Sequence, residues 1–262
     1  MKPLTEIWKF RDLFYILIWR DILVRYKQTL FGVLWAVARP LITIIIFSFV
    51  FQRVANIPTH GDYPYQLTVF AAMLPWMLFS HLISDGGNSL LANVNLVTKV
   101  YFPRIYLPLA CLGVGLIDYF INTLLFAIII FALDVNIEIG SVIGLLFAVI
   151  PTIFLSLGSV LYISAATARY RDFKFMVPFI LQVGIYVTPV GYELSALGVE
   201  NARYLELNPL TFCVEISRYL IIDGYPLPSV RSFISYTLFG SVTLVVGLFY
   251  FNKTSKTMAD YI

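Results

Sequence analysis

Six apolar stretches, each close to the length that crosses a bilayer, take up most of this 262-residue sequence. A helix needs about 20 consecutive apolar residues to cross a hydrocarbon core of about 30 Å. The stretches cover residues 30–51, 67–91, 106–132, 141–167, 175–191 and 232–251. The sequence therefore predicts an all-α integral membrane protein with six transmembrane helices.

Composition excludes the soluble and disordered classes of protein. Hydrophobic residues make up 60% of the chain and charged residues 13%, about half of the roughly 25% usual in soluble domains. Disordered chains are poorer in apolar and aromatic residues than this one. The length fits one compact bundle, so we expect a single transmembrane domain over residues 1–262. Its parts are an interfacial helix region at 1–29, the bundle at 30–251 and a cytoplasmic tail at 252–262.

Positive charge is distributed unevenly over the predicted loops. With a cytoplasmic N-terminus, six crossings place 14 of the 18 lysines and arginines on the inner side, as the positive-inside rule requires. The inner bases are Lys2, Lys9, Arg11, Arg20, Arg25, Lys27, Arg39, Lys99, Arg104, Arg169, Arg171, Lys174, Lys253 and Lys256. Residues 209–222 number only 14 and contain two charges, so they predict a re-entrant or interfacial helix and no seventh crossing. We expect both termini inside.

Residues 5–27 predict an interfacial helix ahead of the first span. Lys9, Asp12, Arg20 and Lys27 fall on one stripe at 100° per residue, and apolar residues fill much of the remaining surface. Such a helix lies on the inner leaflet of a membrane. Its charges serve either a cytoplasmic partner or an anchor on anionic lipid, and the sequence leaves both interpretations open.

The sequence lacks the motifs that hold nucleotides or metals. A phosphate-binding loop needs a lysine directly after a glycine, and no glycine in this chain is followed by lysine. His60 and His81 have no HExxH or CxxC companions, and Cys111 and Cys213 stand alone in apolar stretches, so neither a metal site nor a disulfide framework is expected. We expect no catalytic residue, no metal and no cofactor on this chain, and no nucleic-acid partner.

Three parts of the sequence together resemble one family of transporters. They are RYKQTLFGVLWAVARPL (25–41), then LPWMLFS (74–80) with NVNLVTKVYFPRIYLPL (93–109), then YRDFKFMVPFILQVGIYVTPVGY (170–192) with LNPLTFCVEISRYL (207–220). In this order and spacing they resemble the permease subunit of bacterial type-2 ABC exporters for polysaccharide, the family that exports O-antigen, capsule and teichoic acid. Two positions depart from the family pattern: Phe31 replaces the usual leucine before Gly32, and Arg39 replaces a neutral polar residue.

The resemblance implies three groups of functional residues. One group receives the stroke of a separate ATPase, chiefly through the inner loop between the second and third spans: Arg25, Lys27, Asn95, Lys99, Tyr101, Phe102, Pro103, Arg104, Arg171 and Asp172. A second group lines the substrate pathway, where aromatic rings can pack on the C–H faces of sugars: Trp35, Arg39, Trp76, Phe79 and Tyr186. A third group belongs to two short re-entrant helices that close the outer mouth: Tyr192, Asn208, Pro209, Glu215 and Arg218.

Several of these residues have a second interpretation. The aromatic residues of the inner loop also suit an interfacial belt. Arg39 either attracts a pyrophosphate-lipid head group or snorkels to the inner leaflet. Asp118, an acid inside the third span, is either functional or a structural hydrogen-bond partner for a neighbouring helix. Glu215 and Arg218 are spaced i, i+3 and can pair on one helix face, although residues 209–222 also suit an exposed interfacial helix.

The resemblance implies the transmembrane subunit of an ATP-driven exporter in the bacterial inner membrane. Its cargo would be lipid-linked polysaccharide, with O-antigen as the leading candidate and teichoic acid, capsule or a small molecule as alternatives. Two copies of this chain would form the pathway, and two copies of a nucleotide-binding ATPase subunit would carry ATP and Mg. Two other classes stay open: an ion-coupled carrier that uses Asp118 and Asp85, and a membrane enzyme that uses His81 and Asp85.

Overall fold

The computed structural model describes residues 8–27, 32–56, 63–135 and 137–257, and in these ranges the chain is helical without a β-strand. The α-helices are α1 (Arg11–Tyr26), α2 (Gly32–Phe47), α3 (Tyr65–His81), α4 (Gly87–Ala92), α5 (Val94–Lys99), α6 (Tyr106–Ala132), α7 (Ile139–Arg169), α8 (Phe173–Val187), α9 (Val199–Leu205), α10 (Pro209–Ile221) and α11 (Val230–Thr257). A π-helical segment, Ser48–Val54, extends α2, and a second, Leu82–Gly86, joins α3 to α4. The predicted all-α class is confirmed.

Within the described ranges, five helical stretches are long and apolar enough to cross a membrane: Leu34–Val54, Tyr65–Ala92, Tyr106–Ala132, Ile139–Arg169 and Val230–Ser255. They correspond to the first four predicted spans and the sixth, and the third matches its prediction residue for residue. The fifth predicted stretch, 175–191, is short in the sequence and reaches an end near Pro189, and α8 likewise ends at Val187 after 15 residues. Thr188 precedes a proline, which disfavours helical backbone at that position, and its φ of −89° and ψ of 134° are extended.

The bundle has two ends, which differ in the helices that lie there. At one, which we call the α1 end, α1 packs on the start of α6: the Phe14 and Tyr106 ring centroids are 5.1 Å apart, and Ile18 lies against Gly113. The short helix α5 and the last turns of α7 and α11 also lie at this end. At the opposite end, which we call the far end, α10 packs on α3 near its start, where Arg218 contacts Thr68, and α9 ends beside the first turn of α10. These two ends are the reference positions for the charged groups described below.

The helix α3 is the centre of the bundle. In the Tyr65–Ala92 stretch 72% of the most apolar window is buried, against 17% in Leu34–Val54. Leu67, Phe70 and Leu74 are fully enclosed by α6, α7 and α10. A smaller core at the α1 end joins α1 to the other elements there, with the buried side chains Leu17, Leu90, Val97, Phe102, Tyr106, Leu161 and Phe251 among its members. By contrast, α2 and α11 carry rows of exposed apolar side chains, as helices do where they face lipid or another subunit.

The surface of α1 differs in part from the prediction. The charged side chains Lys9, Asp12 and Lys27 are exposed as the stripe requires, but Tyr15 and Trp19 are exposed as well. The helix is therefore apolar both toward the bundle and away from it. Residues 1–7 and 28–29 of the predicted interfacial region lie outside the described residues.

Glycines bring α7 and α11 into backbone contact. A Cβ on Gly158 would lie 2.2 Å from the backbone nitrogen of Leu244, and a Cβ on Gly247 would lie 2.2 Å from the carbonyl oxygen of Gly158. Small residues permit such close packing between transmembrane helices, where lipid gives no hydrophobic force for association. This crossing fixes α11 on the back of the bundle, away from the cavity described next.

Candidate functional site

A cavity of about 910 Å³ lies between α2, α3, α6 and α8 and reaches the C-terminal end of α1. Its walls combine apolar side chains with charged, hydroxyl and aromatic ones. The residues that line it include Arg25, Tyr26, Trp35, Arg39, Met73, Trp76, Met77, His81, Ser84, Asp85, Asp118, Asn122, Pro178 and Ile185. The volume lies at the upper end of the range of about 300–1,000 Å³ usual for ligand sites. This cavity is the candidate substrate site.

A cluster of charged groups forms the wall of the cavity at the α1 end. One guanidinium nitrogen of Arg25 lies 2.5 Å from a carboxylate oxygen of Asp118, and another lies 3.4 Å from Asp85. The imidazole Nδ1 of His81 lies 3.0 Å from Asp85 and 3.2 Å from Arg25. The Tyr26 hydroxyl donates a short hydrogen bond to Asp118. The cluster therefore joins α1 to the second and third spans.

The Arg25–Asp118 ion pair is closer and more buried than the Arg25–Asp85 pair. The Asp118 side chain is only 16% exposed, whereas that of Asp85 is 52% exposed. An acid at membrane depth needs a cation or hydrogen-bond donors close by, and Asp118 has both. Burial, together with the Asp118 carboxylate, raises the pKa of Tyr26, so its hydroxyl stays protonated and donates. Asp118 is thus bonded to a neighbouring helix, one of the two roles that the sequence leaves open.

The predicted pathway residues divide into two sets. Trp35, Arg39 and Trp76 line the cavity. The ring of Phe79 lies 6.2 Å from that of Trp76, one turn further along α3. Tyr186 lies at the far end of α8, 6.4 Å from Phe47, and is exposed. The structure therefore brings four of the five residues together and places Tyr186 apart from them.

Glycine 184 allows α8 to form a cavity wall. A Cβ at this position would lie 2.8 Å from the indole ring of Trp76. Without a side chain there, α8 approaches the tryptophan closely and Ile185 reaches the cavity. The predicted short fifth span thus has a defined place in the site.

The inner loop between the second and third spans has one exposed and one buried side. Asn95 and Lys99 on α5 are exposed, and Tyr101 is 72% exposed. Phe102 and Pro103 are buried at the α1 end. The predicted docking surface therefore consists of Asn95, Lys99 and Tyr101 on this loop, while Phe102 and Pro103 are inaccessible and hold the loop on the bundle.

Arg104 also has a structural bond. Its guanidinium donates to the carbonyl oxygen of Ser255 on the last turn of α11. On the neighbouring loop, Arg171 and Asp172 are exposed, and Arg169 lies 5.2 Å from the centre of the Tyr170 ring. The exposed charges of both loops lie at the same end of the bundle and form one polar surface there, and Lys27, directly after α1, is exposed as well.

A second charged group lies at the far end and is buried. The guanidinium of Arg218 has no exposed surface and lies 3.0 Å from Glu215, its i, i+3 partner, so the pairing that the spacing predicts is present. It also donates to the carbonyl oxygens of Thr68 (3.3 Å) and Val190 (3.0 Å). A buried ion pair needs such additional hydrogen bonds to offset its desolvation. The network ties α10 to α3 and to the chain that follows α8.

Tyr225 completes this network from the segment after α10. Its hydroxyl lies 3.0 and 3.2 Å from the two carboxylate oxygens of Glu215. Burial raises the pKa of Tyr225 well above its ordinary range, so the phenol remains a donor to Glu215. Glu193 is also buried there and accepts from Ser195 at 3.2 Å. Residues 209–222 are therefore packed inside the bundle, and the alternative of an exposed interfacial helix is wrong.

The start of α10 is fixed by its capping residue. The Asn208 side chain accepts from the backbone nitrogen of Leu210 at 3.1 Å and donates to the Thr188 hydroxyl at 3.0 Å. Pro209 occupies the first helical position, where its missing N–H costs nothing. Tyr192 donates to the carbonyl oxygen of Tyr186 at 2.8 Å. The five residues assigned to the outer mouth thus lie together at the far end.

The roles of Asp85, His81 and Asp118 stay open in the sequence. The signal for Asp85 is the polar interruption Ser84-Asp85-Gly86-Gly87, which follows His81 closely, and the signal for Asp118 is a lone acid in an apolar span. Across the described ranges, no group of three histidine, cysteine, aspartate or glutamate side chains could hold a metal ion. The side chains of Arg25, His81, Asp85 and Asp118 are instead arranged as ion pairs. Such an arrangement can bind and orient a polar ligand.

Comparison with known proteins relates this chain to membrane transport proteins. The family described as ABC-2 type transporter matches residues 12–222. The O-antigen export system permease protein RfbA of Klebsiella pneumoniae is 24% identical over 249 residues, which cover 95% of this chain and 94% of that protein. The protein of the same name from Myxococcus xanthus is 28% identical over 223 residues, 80% of each chain. The polysialic acid transport protein KpsM of Escherichia coli is 24% identical over 244 residues, 91% of this chain and 92% of its own.

The family match spans well over half of the sequence and includes both charged groups. It contains four of the five full-length spans and the short helix α8. On this evidence the chain belongs to the membrane family of ABC-2 type transporters.

Proposed function

We propose that this chain is the permease subunit of an ATP-driven exporter for lipid-linked polysaccharide, with O-antigen as the leading cargo. The observation that carries the proposal is the cavity of about 910 Å³, which joins aromatic rings to cations within a membrane bundle. Tryptophan rings suit the apolar faces of sugars, and the guanidinium groups suit a phosphate-bearing lipid head group. Arg39 is the arginine that we assign to the head group, because Arg25 is already paired with Asp118.

The orientation of the chain follows from its charges. We place the α1 end in the cytoplasm, because it carries the exposed bases of α5 and of residues 169–174, as the positive-inside rule favours. The helix α8 then crosses the bilayer together with the extended residues after Val187, which completes six crossings. Both termini lie in the cytoplasm, and the membrane is the bacterial inner membrane. In this arrangement α9 and α10 lie near the outer surface as the short helices that close the pathway.

A separate ATPase must supply the energy, because the sequence contains no phosphate-binding loop. We propose that two copies of a nucleotide-binding subunit dock on the α1 end of two copies of this chain. Their contacts would be Lys27, Asn95, Lys99 and Tyr101 together with Arg171 and Asp172, whose side chains are exposed there. Charged rims of this kind steer association and fix its register. Mg and ATP would be bound entirely by the partner.

A second copy of this chain would cover the exposed side of the cavity. The Leu34–Val54 stretch has only 17% of its most apolar window buried, and α8 exposes Phe175, Phe179 and Val183. These two elements form cavity walls and lie at the edge of the bundle. We propose that they meet their counterparts in a homodimer, which would enclose the polymer on all sides.

The capsule-type cargo is a second candidate. It is supported by the match to the polysialic acid transport protein of Escherichia coli, whose identity of 24% equals that of the Klebsiella pneumoniae O-antigen permease. An ion-coupled carrier is less well supported, because Asp118 is neutralised by Arg25 at 2.5 Å.

Complementation separates the two polymers. The chain, expressed with its ATPase subunit, is introduced into one strain that lacks its O-antigen permease and another that lacks its polysialic acid permease. We expect surface O-antigen to be restored in the first strain and polysialic acid to stay inside the second. Restoration of the acidic polymer alone would replace O-antigen by a capsule-type cargo. Restoration of neither by an expressed, folded complex would contradict the polysaccharide proposal.

A further inference from the structure

The second span is a broken helix. Between α3 and α4 the residues Leu82–Gly86 form a π-helical turn, which widens the helix and weakens its regular hydrogen bonding. Segments of this kind within α-helices occur frequently at functional sites and at kinks. The turn lies directly between the cavity wall on α3 and the short helices α4 and α5, which end in the exposed inner loop.

Gly86, at the end of the turn, and Gly87, at the start of α4, let the chain lie close against α7. A Cβ on Gly86 would lie 2.8 Å from a methyl group of Val160, and a Cβ on Gly87 would lie 2.7 Å from a methyl group of Ile163. Both positions therefore face α7 with bare backbone. A surface without side chains can slide along its neighbour, whereas interdigitated side chains resist sliding.

Space is available on both sides of the turn. The large cavity lies on one side, and a second cavity of about 210 Å³ lies on the other, bounded by Asn88, Thr167 and Lys174. Ser84, Asp85 and Pro178 line both cavities. The turn thus borders two spaces on its Ser84–Asp85 side, while Leu82 and Ile83 anchor its other side in the hydrophobic core.

Polar atoms around the turn are incompletely paired. Among the described residues, the buried atoms Nε2 of His81, Oδ1 of Asn88 and Oγ of Ser80 have no hydrogen-bond partner. Buried polar atoms in proteins are normally bonded. Ser80 and His81 line the large cavity and Asn88 lines the smaller one, so these atoms have room to gain partners when the turn changes.

The two ion pairs of Arg25 differ in distance and burial, and this difference permits a movement of the turn. Asp118 holds Arg25 at 2.5 Å and is largely buried, while Asp85, on the turn itself, lies at 3.4 Å and is half exposed. If Asp85 moved away, Arg25 would keep a buried counter-ion and would incur no unpaired charge. Asp118, in contrast, has its partners on α1 and could not leave without cost.

We propose that Leu82–Gly86 is a hinge in the second span, and that Asp85 is a counter-ion that parts from Arg25 when the hinge moves. Displacement of the inner loop moves α4 and α5 along α7, while α1 and α6 stay together as one body through Arg25 and Asp118. The cavity wall at His81 and Asp85 then changes shape. This inference rests on the proposed function in one respect, namely that a docked ATPase displaces the inner loop.

A reversible cross-link tests the hinge in the transport complex. A Cβ on Gly86 would lie 3.8 Å from the Cβ of Cys111 on α6, within the range of about 3.5–4.5 Å that a disulfide requires. The variant Gly86→Cys, with Cys213→Ala to remove the other thiol, is purified with its ATPase subunit and reconstituted. Oxidation should lower ATP-driven polysaccharide transport about tenfold or more, since a blocked conformational step limits turnover. Dithiothreitol should restore it.

The matched control locks α1 to α6, which the proposal treats as one body. A Cβ on Gly113 would lie 3.3 Å from the Cβ of Ile18, just under the range of about 3.5–4.5 Å for a disulfide, so Ile18→Cys with Gly113→Cys in a Cys111→Ala, Cys213→Ala background can form a bridge after a small shift. Oxidation of this variant should leave transport at the reduced level. Equal transport by the oxidised and reduced Gly86→Cys proteins, with the bridge verified by mass spectrometry, would overturn the hinge. Co-purification of the ATPase, read in the same samples, reports on the proposed function separately.

Hydrogen exchange tests the hinge without substrate or partner. In the unmodified full chain in lipid nanodiscs, backbone amides of residues 83–92 should exchange about tenfold or more faster than those of residues 66–80, because local opening concentrates where packing is weak. Residues 114–122 on α6, which also face the cavity, are the reference for water access. Exchange at 83–92 as slow as in that reference segment would overturn the proposal even if no variant folds.

Discussion

Replacing Gly158 by alanine would place a Cβ 2.2 Å from the backbone nitrogen of Leu244, where ordinary contacts begin near 3.4 Å. The helices α7 and α11 would have to separate locally by about 1.2 Å to relieve the overlap. The obstacle is backbone, which cannot rotate aside, so the cost should lie near the upper end for overpacking, about 3 kcal/mol. At about 2–4 °C per kcal/mol for a chain of this size, the melting temperature should fall by about 6–12 °C.

The same helix supplies the control. A Cβ on Gly140, at the start of α7, meets no described atom within 4 Å, and alanine is favoured over glycine in a helix by about 1 kcal/mol. Gly140→Ala should therefore melt at the wild-type temperature or slightly above it. Both variants are heated in one detergent, and the remaining folded fraction is measured by size-exclusion chromatography. A Gly158→Ala protein as stable as Gly140→Ala would refute the close helix crossing.

Three further predictions concern the sites. Lys99→Glu combined with Arg171→Glu should reduce co-purification of the ATPase subunit about tenfold, because both bases lie on the exposed loops of the α1 end and rim charges govern association. Arg218→Met should lower the free energy of unfolding by about 3–5 kcal/mol, because Glu215 is left buried without its cation, and adding Glu215→Gln should restore part of the melting temperature. Trp76→Ala should reduce polysaccharide export in cells and leave ATPase co-purification unchanged, because the ring faces the cavity and no exposed loop.

Control variants elsewhere in the chain test two of these predictions, and the third has its own contradicting outcome. Arg203→Glu reverses an exposed charge on α9 at the far end, and an equal loss of ATPase from this variant would contradict a docking surface at the α1 end. Phe120→Ala removes an exposed ring from α6, and an equal loss of export would show that Trp76 acts through general packing. A single Arg218→Met variant that melts with the wild type would contradict the buried network.

Span boundaries could be predicted wherever hydropathy alone determines them. The third span begins and ends as its apolar run does, at Tyr106 and Ala132. The end of the fifth span needs a second signal, because the apolar run continues to Gly191 while Pro189 predicts an earlier end, and the helix ends at Val187. Hydropathy measures the preference of side chains for lipid, and it does not register a local backbone restriction.

The sites could be predicted where partners are close in sequence. Glu215 and Arg218 are three residues apart, and their pairing follows from helix geometry. Tyr26 and Asp118 lie 92 residues apart, and only the packing of α1 on α6 brings them together. The π-helical turn was visible in sequence only as a polar interruption, because a run of Ser-Asp-Gly-Gly fits a loop, a kink or a widened turn equally well. The burial of Phe102 likewise depends on tertiary contacts.

The most direct test of the account is energised transport by the purified chain. The tagged protein is isolated gently from its host, any co-purifying chain is identified, and the preparation is reconstituted into vesicles with lipid-linked O-antigen. The account predicts a stoichiometric nucleotide-binding subunit and polysaccharide translocation that requires hydrolysable ATP. Translocation by the chain alone, without a nucleotide-binding partner and without ATP, would contradict it and would make Asp118 the residue to replace next.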